Sequence, residues 1–379
     1  MSFDHTIRSG DRELRCGYTT GTCAALAAAG ATWLLLTGHA PTELSLQTPK
    51  GWAVSVAPAE CVLQEDRAVC SVVKDAGDDP DITNGMTVTA TVCKFENPGI
   101  VIDGGEGVGH VTRPGLDQPV GAAAINRVPR QMIRQEVESV CAEAEYEGGL
   151  RVVISIPNGQ KIAAKTFNPI LGVEGGLSIL GTSGIVEPMS EQALVDTLRV
   201  QIRQLAAEGA RQLILTPGNY GQDFIRSSGL DQLGIPVLKI SNFIGDALDF
   251  CAEYGILQLL LVGHLGKLVK VAAGARNTHS KYGDHRMTTL ADHAARCGAS
   301  DSVRQQLLNA ATTEAALELL ENQALRDPVL QSLGSAIQDQ LNIWLPDTVT
   351  AGVLVFSNTC GELFRSPAAD RLLAQWRRS

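Results

Sequence analysis

At 379 residues the chain is too long for one small module, and two or three domains are the natural expectation. Its residues are 44% hydrophobic and only 19% charged, which excludes a disordered polymer and leaves enough apolar side chain for compact cores. A net charge of -10 excludes a general nucleic-acid binder or an adhesin for anionic membranes, although local basic patches remain allowed.

The apolar run 23–36 is broken by Gly30 and Thr32 and is too short for a bilayer span. Mostly polar residues, among them Asp4 and Glu13, precede it, so it reads as the first buried helix of a cytoplasmic protein, not as a signal-peptide core. Spans 43–48, 53–58, 67–73 and 87–92 alternate as strands between polar turns. A helix begins near Pro129, with Met132, Ile133, Val137, Val140, Cys141 and Ala144 at helical spacing, and stops at Gly148 and Gly149. Spans 152–156 and 162–166 read as a hairpin about Asn158-Gly159.

From Gly175 the rhythm changes to short apolar strands, 177–180, 212–215, 236–240 and 257–262, each followed by a helix. Such alternation favours parallel pairing through right-handed crossovers in a doubly wound sheet. Residues 301–342 are helical by pattern, and 349–356 reads as a late strand that either closes the same sheet or returns to the first domain. The expected fold is therefore α/β, with a strand-rich α+β N-terminal domain, 1–172, followed by a Rossmann-like doubly wound domain, 173–379. The boundary is placed in the Pro/Gly-rich stretch 168–176.

Three segments have the composition of ligand loops. In Gly17-Tyr18-Thr19-Thr20-Gly21-Thr22, glycines, hydroxyls and a helix start suit a carboxylate or phosphate, while the same hydroxyls are also common helix caps. Gly181-Thr182-Ser183-Gly184 follows the expected first strand of the doubly wound domain, where nucleotide-type ligands sit, but it is neither GxGxxG nor a P-loop. The strand after it ends at Gly218-Asn219 without the acidic residue that commonly holds a ribose. In 263–290, Lys267, Lys270, Arg276, Lys281 and Arg286 outweigh Asp284, and His264, Asn277, Thr278 and His279 accompany them, a composition suited to a polyanion. Lys270 by itself reads as part of a solvated helix face.

Asp103 and Glu106, in a glycine-rich turn, are candidate acid/base groups, although the segment also reads as a plain turn. The carboxylates of 74–81 do not match an EF-hand, and His279, His285 and His293 lack zinc spacing, so no protein-bound metal is expected. The nine cysteines are odd in number, scattered and free of CxxC pairs, which points to reduced thiols. With no Gly-x-Ser-x-Gly elbow, group transfer between two ligands fits better than nucleophilic hydrolysis.

GYTTGTCAALAA at 17–28, KDAGDDPDIT at 74–83, VTRPGL at 111–116, INRVPRQMI at 125–133, GTSGIVEPMS at 181–190 and NTHSKYGDHRM at 277–287 resemble the cobalt-precorrin-5B C1-methyltransferase family of anaerobic cobalamin biosynthesis. The resemblance implies S-adenosylmethionine as methyl donor, a corrinoid acceptor that carries the cobalt, and cobalt-precorrin-6A and S-adenosylhomocysteine as products. Under that implication Gly181, Thr182, Ser183 and Gly184 approach the donor, beside Gly218 and Asn219. Thr19, Thr20, Thr22, Arg113, Lys267, His279 and Arg286 hold acceptor carboxylates, and His279 joins Asp103 and Glu106 as a catalytic candidate. Self-association is a further expectation. Two alternatives stand beside this reading: a non-catalytic tetrapyrrole carrier, and an enzyme acting on a phosphorylated metabolite through the same loops.

Overall fold

A computed structural model describes residues 3–9, 12–166 and 168–378. It is mixed α/β, and the chain divides into two compact units, Met1–Ala193 and Leu194–Ser379.

The first unit is built on helix α1, Thr20–Thr37, which is apolar nearly all round and therefore buried, as such helices must be. Its length and composition would pass for a membrane span, but 72% of that stretch is buried within the protein, which makes it a core helix. Thr19 caps its start by accepting from Thr22 N, and Gly38, in the left-handed region at φ 77°, ends it. Five strands, β1 (Glu60–Leu63), β2 (Arg67–Val73), β3 (Thr87–Phe95), β4 (Ile100–Gly104) and β5 (Gly149–Ser155), form one sheet in the order β1-β2-β3-β5-β4. The pairing is antiparallel except between β4 and β5. Helix α1 packs on this sheet and on α2, Arg127–Glu143.

Two expectations are corrected here. The hairpin about Asn158-Gly159 does not form: Asn158 sits in the left-handed region at φ 61° and leads into a short helix, Gly159–Ala163, while β5 pairs with β3 and β4 instead. Residues 177–180 are not a strand of the second sheet. Leu177 and Ile179 make isolated bridges to Val108 and Ile125, and Ile185–Val186 pairs with Gly17–Tyr18, so 173–193 packs with the first unit.

The second unit takes α3, Glu191–Ala207, from Leu194 onward and holds a sheet of β6 (Gln212–Thr216), β7 (Val237–Lys239), β8 (Gln258–His264), β9 (Thr350–Ser357) and β10 (Gly361–Arg365). Their order is β7-β6-β8-β9-β10, parallel until the final antiparallel β10. The late strand thus joins this sheet. Alternate residues of each strand enter separate cores: Leu213, Leu215, Leu259, Leu261, Val353 and Val355 on one face, Ile214, Leu260, Val262, Leu354 and Phe356 on the other. A strand buried on both faces must be apolar throughout, which is how these strands read in sequence. Helices α4 (Asn219–Ser227) and α11 (Pro367–Trp376) send Ile225, Leu372 and Trp376 to the second face. The first is covered from α5 (Ile244–Glu253), α6 (Leu265–Ala272), α7 (Arg286–Arg296), α8 (Asp301–Leu308), α9 (Thr313–Asn322) and α10 (Arg326–Trp344).

Candidate functional site

In a parallel sheet of this order the chain leaves β6 for β7 on one side and then crosses to β8 on the other. The carboxyl ends of β6 and β8 therefore flank a topological switch point, where open α/β sheets take their ligands. The residues at that edge are polar. Thr216 ends β6 fully buried, and its hydroxyl has no partner; a Cβ at Gly221 would lie 1.7 Å from it, so glycine is required there by contact, not by backbone angle. Gly218 and Asn219 then start α4, and Lys239, at the end of β7, donates to Asn219 Oδ1 at 2.8 Å.

His264 ends β8 and caps α6, its Nδ1 accepting from Gly266 N at 3.1 Å. That contact leaves the proton on Nε2, which lies 3.1 Å from Glu314 Oε1 on α9. Burial outweighs the carboxylate and keeps the imidazole below its ordinary pKa. One turn on, Lys267 donates to Asn242 Oδ1, the oxygen that Thr278 Oγ1 also approaches, at 3.2 Å. Burial and the neighbouring Lys270 charge hold the Lys267 ammonium below its usual range.

The other expected site residues have varied fates. Lys270 is 6% exposed, not on a solvated face, and donates to the carbonyls of Thr278 and Gly283, so it ties down the 277–283 loop. Arg286 grips both oxygens of Asp284 at 2.7 and 2.6 Å and draws that carboxyl down to about 2. His279 is exposed, its Nδ1 accepting from Lys281 N. In the first unit, Thr20 Oγ1 exchanges hydrogen bonds with the backbone of Leu180, and Thr22 Oγ1 donates to Gly184 O at 2.6 Å. Thr19, Thr20 and Thr22 are buried, and the role as carboxylate donors gives way to capping and stapling inside the protein.

Loop 181–184 is the other half of that staple. Gly181, at φ 135°, lies where a Cβ would meet Thr19 Oγ1 at 2.2 Å, Ser183 bonds its own turn at Ile185, and only Thr182 is exposed. Its place is against the start of α1, not at the end of a strand of the parallel sheet. Arg113 packs over Gly172, and Asp103 and Glu106 lie exposed on the first unit, where Asp103 accepts from Gly104 N. Among the described residues no group of three or more His, Cys, Asp and Glu is arranged to hold a metal. The acidic loop is spent on Arg15–Asp75 and Lys74–Asp81 pairs. Sequence reasoning missed Lys239, Asn242, Thr216 and Glu314; the first three sit at or just beyond the carboxyl ends of parallel strands, a positional signal available once strand order is known.

The first unit is where one family model falls: CbiD matches residues 7–188, and the CbiD C-terminal domain matches 277–367. The chain is 43% identical over 348 residues to a protein of Thermoanaerobacter sp. (strain X514) named cobalt-precorrin-5B C(1)-methyltransferase, covering 89% of this chain and 93% of the relative. An Alkaliphilus metalliredigens protein of the same name is 41% identical, over 97% of this chain and 96% of its own. The crystal structure of cobalamin biosynthesis protein (cbiD) from Archaeoglobus fulgidus matches at 29% identity and a TM-score of 0.40, over 72% of this chain and 84% of the other.

Proposed function

Because the chain belongs to the CbiD family, we propose that it methylates cobalt-precorrin-5B at C1 in cobalamin biosynthesis, with S-adenosylmethionine as donor and cobalt-precorrin-6A and S-adenosylhomocysteine as products. The observation that carries this reading is near full-length identity to relatives of that name, 43% over 93% of one of them. The cobalt enters as part of the substrate. An acceptor with several acetate and propionate arms is a polyanion, and the carboxyl edge of the second unit's sheet offers Lys239, Lys267 and amide side chains.

The second unit is read as Rossmann-like on the strength of its parallel order and its two covered faces. The donor does not fit its switch point in the ordinary way. Where an acidic residue would hold ribose hydroxyls at the end of the second strand, this chain has Lys239. Transfer of a methyl group from a sulfonium to a ring carbon asks the protein mainly to align two molecules and exclude water, so no protein nucleophile is needed. The scattered, odd-numbered cysteines favour a cytoplasmic setting.

The test is mass spectrometry after incubation of the purified protein with cobalt-precorrin-5B and methyl-labelled S-adenosylmethionine. One labelled methyl on the macrocycle is expected. Tight binding of the macrocycle without methylation would instead favour a carrier.

A further inference from the structure

Most cations around the switch point of the second unit are already matched. Arg286 has Asp284, Arg276 has Asp249, and Lys270 is held by two carbonyls. Lys239 and Lys267 differ: each ends on a neutral asparagine oxygen, Asn219 Oδ1 and Asn242 Oδ1, and neither has a carboxylate partner among the described residues. Lys239 sits opposite Thr216 in the β6–β7 register, and Lys267 lies in the first turn after β8, so both belong to the same edge of the sheet. Lys267 is part-buried, and a part-buried ammonium facing only an amide is an incomplete arrangement. The unpartnered hydroxyl of Thr216, fully buried beneath the first turn of α4, is a second polar group at this edge that the protein leaves unsatisfied.

We propose that Lys239 and Lys267, each presented by its asparagine, form a carboxylate clamp for the polyanionic acceptor, and that the switch point belongs to the acceptor and not to the methyl donor. The inference rests on the methyltransferase reading and deepens it. S-adenosylmethionine carries a sulfonium, an ammonium and one carboxylate, a net positive charge that two lysines lacking a carboxylate partner repel, since Glu314 at this edge is turned to His264. An acceptor bearing many carboxylates supplies the counter-ions both lysines lack, and each amide oxygen holds its ammonium in place while the remaining N–H donors stay available to a ligand. This moves Asn219 from the donor to the acceptor and explains why a cation stands where dinucleotide-type sheets place an acid.

Uroporphyrin III, a tetrapyrrole with acetate and propionate arms, serves as acceptor probe, and S-adenosylhomocysteine as donor probe, each titrated into the full chain. Lys239→Gln and Lys267→Gln are each expected to weaken uroporphyrin binding about tenfold, the worth of a charge-assisted hydrogen bond, with S-adenosylhomocysteine affinity changed less than about twofold. Lys267→Arg is expected to keep most of the porphyrin affinity, which a purely structural role would not require. Lys239 is exposed, so its variant tests the clamp even where the Lys267 variant folds poorly. Loss of S-adenosylhomocysteine binding with porphyrin binding intact overturns the proposal in favour of the donor, and equal loss of both, or of neither, overturns it as well. A wild-type protein that binds neither probe and transfers no methyl group overturns the methyltransferase reading, and the clamp with it.

Discussion

Asp81→Asn tests how the first unit holds the start of α1. Lys74 is only 2% exposed, and its ammonium donates to Asp81 Oδ2 at 2.7 Å. The other oxygen accepts from Thr83 N and Thr83 Oγ1 at 2.8 and 2.7 Å. Burial opposes the charged carboxylate, but Lys74 and Thr83 overcome it and keep Asp81 below the usual carboxylate range. An amide in its place turns an NH2 towards either Lys74 or the Thr83 donors, so one side loses its acceptor. Breaking a buried pair by removing one partner costs about 3–5 kcal/mol, and because Asp81 is 26% exposed the lower end, about 3 kcal/mol, is expected. For a unit of this size that lowers Tm by about 6–12 °C.

The effect should concentrate locally. Tyr18 N donates to Asp75 O at 2.8 Å, and a Cβ on Gly17 would lie 2.3 Å from the Ala76 carbonyl carbon, so loop 74–81 backs the residues leading into α1. Hydrogen exchange followed by mass spectrometry on peptides over Gly17–Tyr18 and the start of α1 reads this directly. The folded pKa of Asp81 is depressed, so the pair's contribution is fully present above the unfolded value of about 3.9 and is lost as pH falls through the folded one. The gap between variant and wild type therefore closes on acidification below about pH 4. A loss under about 1 kcal/mol at neutral pH, or a gap that does not narrow as pH falls below about 4, would refute the reasoning.

The cysteines should separate by reactivity. Hydroxyls of Thr359 and Ser357 lower the exposed Cys360 thiol, while burial pushes Cys23 and Cys251 up to about 12, so iodoacetamide at neutral pH should modify Cys360 at least about tenfold faster. Comparable labelling of Cys23 in the folded protein would contradict that order. His264 and His293 are both held below their ordinary value, chiefly by burial, and so favour the neutral form in the folded state. Stability of the second unit should thus be fullest above about pH 6.5 and decline as pH drops from there towards the folded values. Urea midpoints across that range should flatten in His264→Gln/His293→Gln, and an equally steep profile in the double variant would count against the assignment.

Strong local patterns were legible. The predicted strand 67–73 matches β2, and the apolar run 23–36 lies within α1, because alternation and uninterrupted apolarity are properties of the segment itself. Residues 177–180 show the limit of that logic. Leu177 and Ile179 are buried as expected of a strand while Leu180 is exposed, and the backbone groups of these residues bond to Gly107, Ala124 and Thr20, partners distant in sequence that no local pattern reveals. The misplaced glycine loop 181–184 follows from that one error. At the second sheet, the basic stretch 263–290 begins at the carboxyl end of β8, as its place after an apolar run implied, whereas Lys239 went unnoticed because a lysine at a strand end acquires meaning only from the strands beside it.

The second sheet is closed by segments far apart along the chain: Leu260 pairs with Gly352. Helices α6 to α10 are all synthesised between those two strands, so β8 waits with a bare apolar edge until β9 emerges. Loop closure of that span must come before the pairing that rewards it, which makes the half-made sheet a species exposed to aggregation. Loss of the chain beyond α10 would fix it in that unfinished form, with β8 offering an unpaired edge to any neighbouring strand.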